Sequence, residues 1–322
     1  MTALLRRYWF FLAIALVVLY ALGFDGQGLW VREYHVMTIG IFLAFFATGL
    51  TLDTSHLNIR NLQVKAALAA VVSSLVLIPL LSWSLAYYLL PMEFIIGICI
   101  ITTAPVSVVS GTVMTAIGRG NIALSALICL LGNSVGIFTI PFSLQFLVGG
   151  AGNLKLPILK MLASLITSVL VPIVLGKLAQ RFLKASIARY KAAFSVFQQC
   201  IVLLIIFNAF TGSGSKIGGA GVMLPALLAF IVVLHSLVLL LNFGICRVIR
   251  LDRPSTTAFT IHTSQKTLTV SYLIWAGSFA VQYPLSIIPS IVYHLTQMVM
   301  DTFVAERFRK LSYRRECEPT TR

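Results

Sequence analysis

Lys266 stands inside an apolar run of this 322-residue chain, flanked by His262, Thr263, Ser264, Gln265 and Thr267. About 160 residues earlier a second polar cluster, Thr102 to Thr115, breaks another apolar run with Pro105, Ser107, Ser110, Gly111, Thr112 and Thr115. An ammonium set among hydroxyl, amide and imidazole groups can bind an anion or exchange a proton, and the ends of a broken helix add partial charges of either sign. His294 and Gln297, spaced i, i+3, share a helix face and could join them. Asp301 is the only acid inside an apolar run away from its outer edge, and it falls near the far end of the last run, so no carboxylate neutralises Lys266 at its own depth.

Other residues carry blander readings. His235, isolated in an apolar run, reads as structural, and each Ser or Thr taken singly reads as a helix-packing residue. Gly132-Asn133-Ser134-Val135-Gly136 matches the G-x-S-x-G nucleophile elbow, but that elbow needs a strand-turn-helix setting. The same residues fit small-xxx-small helix packing, which is preferred. Cys99, Cys129, Cys200, Cys246 and Cys317 form no CxxC pair and read as unpaired thiols, with neither a disulfide framework nor a zinc site.

The elements that must position these groups follow from composition. The chain is 59% hydrophobic and only 10% charged, with a mean hydropathy of +0.97. That excludes soluble enzymes, nucleic-acid binders and disulfide-stapled secreted folds, because a soluble domain carries roughly 25% charge. The formal charge of +15 is not gathered on one face of a soluble unit, so no nucleic-acid partner is expected. At roughly 20 apolar residues per crossing, the apolar content supplies nine or ten transmembrane helices.

Ten spans are expected, near 8–23, 35–52, 63–83, 93–118, 121–148, 157–180, 193–211, 221–246, 255–277 and 282–304. Residues 1–23 read as an uncleaved first helix rather than a signal peptide. With a cytoplasmic N-terminus, 19 of the 24 basic residues fall on the inside. Four lie outside (Arg32, Lys155, Lys160 and Lys216), and Lys266 is within a span. Both termini are therefore expected in the cytoplasm. The basic tail, 305–322, reads as a solvated topogenic end, with contact to anionic membrane lipid as the alternative.

Ten spans divide into two sets of five, 1–154 and 155–304, and an odd number per set inverts the second relative to the first. Such folds place their site where interrupted spans of the two halves cross, here the fourth and ninth. Lys266 lies about 11 residues, roughly 16 Å of helix, into the ninth. A lysine at mid-bilayer costs about 2.5–3.5 kcal/mol on insertion scales, so it must face protein or a water-filled cavity. It can serve cargo or a proton there, or it can be tied to backbone carbonyls to hold a broken helix together.

Several segments carry a resemblance. They are TGLTL (Thr48 to Leu52), Pro79, APVS (Ala104 to Ser107), RGNIALSA (Arg119 to Ala126), GNSVGIFTIP (Gly132 to Pro141), VPIVLGKLAQR (Val171 to Arg181), QKTL (Gln265 to Leu268) and YHLTQ (Tyr293 to Gln297). In this order and spacing they resemble the bile acid:sodium symporter (BASS) family, in particular its sodium/bile acid cotransporter 7-like branch, over essentially the whole chain.

The resemblance implies an all-α ten-helix membrane fold with a panel domain (spans 1, 2, 6, 7) and a core domain (spans 3–5, 8–10), working by alternating access around crossed spans four and nine. Sodium-coupled members hold two Na⁺ ions at that crossing, with a carboxylate in span nine. This sequence has Ile261 where that carboxylate is expected and Lys266 where an asparagine usually follows the glutamine. The family's sodium hydroxyls map onto Thr112 and Ser125, with Cys129 at a third position, an incomplete set.

The expectation is a secondary transporter of small organic anions that needs no cofactor and no second copy of the chain, placed in a bacterial inner membrane. Its candidate substrate contacts are Ser107, Ser110, Thr112, Thr115, His262, Gln265, Lys266, Thr267, His294 and Gln297. Lys266 replaces a bound cation, making transport sodium-independent or proton-linked. The alternatives are a sodium-coupled bile-acid-type symporter, or a non-transporting regulator of membrane or ion homeostasis with the same fold. An intramembrane enzyme lacks a nucleophile-base pair.

Overall fold

The computed structural model describes residues 3–23, 36–52, 63–152, 154–210 and 223–316. Arg32, Arg60, Lys216, Cys317 and Arg322 lie outside the described residues. The order is α1 (Ala3–Gly23), α2 (Val36–Thr51), α3 (Val64–Val72), a π segment (Ser73–Leu77), α4 (Ile78–Leu89), α5 (Met92–Thr103), α6 (Val108–Ile117) and α7 (Ile122–Gly152). It continues with α8 (Ile158–Leu165), a second π segment (Ile166–Leu170), α9 (Val171–Gln180), α10 (Lys184–Phe210), α11 (Leu224–Val248), α12 (Arg253–Ser264), α13 (Leu268–Ser278) and α14 (Ile287–Glu316). Among the described residues five helical stretches are long and apolar enough to cross a membrane, and shorter apolar helices occupy the remaining runs. The protein is an all-α polytopic membrane protein.

Where the sequence marks a tail from residue 305, α14 instead continues to Glu316. Ala305, Glu306, Arg307, Arg309 and Lys310 are good helix formers, and Glu306 approaches Arg309 at 3.7 Å one turn on.

The chain divides into two compact units, one comprising 1–52, 159–225 and 269–288 and the other 53–158, 226–268 and 289–322. In the first, α2 lies along α9, and glycines set the separation. A Cβ built on Gly49 would overlap the Ile173 carbonyl, and one on Gly176 would overlap that of Phe46. Lys177 Nζ donates to Leu52 O at 2.8 Å, and Gln180 Nε2 donates to Leu50 O at 2.7 Å, so α9 satisfies the open carbonyls at the end of α2. Since backbone rather than a movable side chain stands in the way, Gly49→Ala and Gly176→Ala should each lower the thermal midpoint by several degrees and forfeit the contact. A melting curve matching wild type would contradict this.

In the second unit, α3, α7, α11 and α12 enclose a core that includes Ala67, Ala70, Val106, Ile128, Cys246 and Phe259. This unit carries both helix breaks up to Leu268.

Candidate functional site

The fourth span breaks because Pro105 offers no amide hydrogen and disfavours helix at Ala104. Helix α5 stops at Thr103, Ala104 to Ser107 run extended, and α6 starts at Val108. The ninth breaks in parallel: α12 stops at Ser264, and the chain resumes helix at Leu268. The two extended stretches cross as an isolated antiparallel bridge, Val106 opposite Lys266. Ser107 N donates to Gln265 O at 3.1 Å, and Thr267 N to Pro105 O at 3.2 Å. Backbone groups that each helix leaves open at its break are thus met by the other.

Lys266 is fully buried. Its Nζ donates to Ser74 O at 2.6 Å, Ser74 Oγ at 2.8 Å and Ala104 O at 3.1 Å, which engages all three ammonium hydrogens. Ser74 has a carbonyl to offer for a local reason. In the π segment Ile78 N bonds back to Ser73 O, five residues earlier, so the next such partner for Ser74 O would be Pro79, which has no N–H. The C-terminal ends of α5 and α12 add roughly half a negative charge each, which a single ammonium balances.

Gln297 holds the lysine's own peptide groups. Lys266 N donates to Gln297 Oε1 at 2.8 Å, and Gln297 Nε2 donates to Lys266 O at 2.7 Å. His294 Nδ1 lies 3.0 Å from Gln297 Nε2, so the i, i+3 pair does share a face. Asn133 Nδ2 donates to Val106 O at 3.1 Å, fixing the opposite strand of the crossing. Gly132 and Gly136 let α7 approach the break: a Cβ on them would meet Val106 at 3.2 Å and Pro105 at 3.0 Å, in keeping with small-residue packing rather than a nucleophile elbow.

The remaining candidates fall into two groups. Ser107 and Ser110 are half-buried, with Ser110 Oγ donating to Ser107 Oγ at 2.6 Å, and Thr267 is half-buried beside them in the crossing. Thr112 and Thr115 instead bond to their own helix, at Val108 O and Gly111 O. Ser125 Oγ lies 2.6 Å from His262 Nδ1, whose ring sits where a Cβ on Gly111 would be. Ile261 is buried against Met114 and Ala305 in an apolar cluster. Thr112 and Ser125, the sodium candidates, each have a hydrogen-bond partner within the protein, Val108 O and His262 Nδ1.

Four buried polar atoms here lack a partner: His262 Nε2, Thr263 Oγ1 and both Gln265 amide atoms, Nε2 and Oε1. Buried polar groups are rarely left so, which makes them candidates for a ligand. Sequence reasoning missed Ser74, Asn133 and the buried His235–Asp301 pair, whose Nε2 and Oδ1 lie 2.9 Å apart. The spacing of Pro79 behind Ser74 was the available signal for the first of these.

Known proteins resemble the chain throughout. A probable sodium/metabolite cotransporter, BASS4, chloroplastic, from Oryza sativa subsp. indica is 28% identical over 93% of this chain and 75% of its own length. Sodium/bile acid cotransporter 7-B from Xenopus laevis is 25% identical over 92% of this chain and 90% of its own. An uncharacterized sodium-dependent transporter, YocS, from Bacillus subtilis (strain 168) is 24% identical over 92% and 91% respectively. The sequence model of the SBF-like CPA transporter family matches residues 8–310. With both interrupted helices inside that match, the chain belongs to the SBF-like CPA transporter family, and so to the secondary transporters of bile acid:sodium symporter type rather than to the enzymes.

Proposed function

We propose that this transporter moves small organic anions by alternating access without sodium, and that the Lys266 ammonium takes the place of the coupling cation. The observation that carries this reading is the oxygen cage around Nζ, two carbonyls and a hydroxyl at 2.6–3.1 Å. Such hard-oxygen groups suit a bound cation, and a tethered +1 charge in their midst opposes Na⁺ binding. Because its hydrogens are all engaged, Lys266 acts on an anion through its field and through the backbone it holds. Direct contact falls to Ser107, Ser110, Thr267 and the open amide of Gln265, with His262, His294, Gln297 and Thr115 shaping their surroundings.

The domain assignment belongs to the same proposal: 1–154 and 155–304 as inverted repeats, spans 1, 2, 6 and 7 as the panel and spans 3–5 and 8–10 as the core. The division into compact units supports it in part: one unit gathers α1, α2 and α8–α10 and the other α3–α7, α11, α12 and most of α14, while α13, the second half of span nine, falls with the first. The basic bias of the predicted inside segments supports cytoplasmic termini in a bacterial inner membrane.

The test is a thermal-shift screen of an organic-anion library on the purified protein, in sodium and in choline salts, followed by counterflow of stabilising compounds in proteoliposomes. Stabilisation and counterflow should be the same in both salts. Uptake that depends fully on a Na⁺ gradient would refute the substitution of ammonium for cation.

A further inference from the structure

Within one unit, α11 and α14 bury a second titratable cluster away from the lysine cage. His235 Nε2 lies 2.9 Å from Asp301 Oδ1, His235 Nδ1 lies 3.3 Å from the Tyr293 hydroxyl, and that hydroxyl lies 3.5 Å from Ser264 O. All three side chains are fully buried, and Asp301 Oδ2 has no partner. Among the described residues His235 is the only basic group within ion-pair distance of Asp301, and Lys266 is committed elsewhere, to Ser74 and Ala104. Tyr293 on α14 faces the pair through His235, and its hydroxyl faces the Ser264 carbonyl at the end of α12.

Counting hydrogens decides what this chain of contacts can do. With Asp301 ionised and His235 neutral, the imidazole and the phenol supply two hydrogens for three donor–acceptor contacts. The best arrangement sends His235 Nε2–H to Asp301 and Tyr293 O–H to His235 Nδ1, which leaves Ser264 O unserved by the phenol. Adding one proton supplies the third hydrogen. With that proton on the imidazole, or on Asp301 Oδ1 where it donates to Nε2, Nδ1–H donates to the Tyr293 oxygen and the phenol hydrogen turns to Ser264 O. The net charge of the buried pair goes from −1 to 0, which removes the cost of an uncompensated buried carboxylate. No covalent bond is exchanged beyond the proton itself.

We infer that His235 and Asp301 form the proton-binding site of this transporter, and that Tyr293 reports its occupancy to the Ser264 carbonyl, next in the chain to Gln265 and Lys266 at the crossing. The inference rests on the transporter reading only for the use made of the proton, since binding itself can be measured without any substrate. Ser264 directly precedes the stretch whose peptides pair with Pro105 and Ser107, so a hydrogen bond gained there bears on the helix break.

The experiment is an infrared pH titration of the purified protein between about pH 4 and about pH 9. Wild type should show one protonation step that shifts a tyrosine C–O band at the same midpoint. Tyr293→Phe should lose the tyrosine shift and keep the step; Asp301→Asn and His235→Gln should lose both. A tyrosine band that does not move in wild type overturns the inference, and requires no variant to fold. So does a step that survives in both Asp301→Asn and His235→Gln, or a tyrosine shift that survives in Tyr293→Phe. Counterflow in proteoliposomes reads the transport proposal separately, and its failure would leave the infrared step in place.

Discussion

Lys266→Ala should unfold at a markedly lower temperature than wild type and become dependent on an added monovalent cation. Two effects oppose each other. Removing the lysine refunds an insertion cost of about 2.5–3.5 kcal/mol. It also forfeits three hydrogen bonds from a charged donor, worth about 1.5–3 kcal/mol each, and leaves Ser74 O, Ser74 Oγ and Ala104 O buried without a donor. The second effect is larger, and the net loss is of order 3–5 kcal/mol. A cavity lined by two carbonyls and a hydroxyl is also what a small cation needs, so Na⁺ or methylammonium should recover part of the loss in this variant and do nothing for wild type. Melting curves in choline, sodium and methylammonium chloride measure it. A variant as stable as wild type in choline, or indifferent to both cations, would contradict the caged-cation reading.

The second large effect is expected at Gln297. Gln297→Met keeps the length and apolar bulk of the side chain and deletes both bonds to the Lys266 peptide groups. Two buried backbone groups are then unserved, at about 1–3 kcal/mol each, and the strand bearing Lys266 loses its anchor on α14. Transport should fall more than tenfold, and the Lys266 amide should exchange its hydrogen much faster than in wild type. Unchanged exchange at that amide would show that the crossing bridge alone holds the strand.

Residue spacing made most of this architecture legible. Apolar runs located the helices, and Pro105 with the polar cluster around Lys266 located both breaks, because each departs from the apolar helical pattern that surrounds it. The pairing of His294 with Gln297 also followed, from helical periodicity. Other contacts were not legible because they join elements far apart in the chain. The bond from Lys266 to Ser74 spans 192 residues, that from Asn133 to Val106 depends on how α7 lies against the break, and the contact between His235 and Asp301 spans 66. His235 stands alone in its own apolar run because its partner, Asp301, lies on another helix. Thr112 and Thr115 illustrate the converse: a hydroxyl in an apolar helix often satisfies itself on the preceding turn, and nothing in the sequence separates it from one free to bind.

The π segment at Ser73–Leu77 has a bearing on how the cage could have arisen. A π turn amounts to one surplus residue inside an otherwise regular helix, so a chain shorter by one here would close its ladder and form the better helix. It would also withdraw the Ser74 carbonyl from the lysine, while the turns on either side kept nearly the same register. Single-residue gaps between relatives in this stretch therefore carry chemical meaning: they distinguish chains able to seat an internal ammonium from chains whose third span has nothing to offer it.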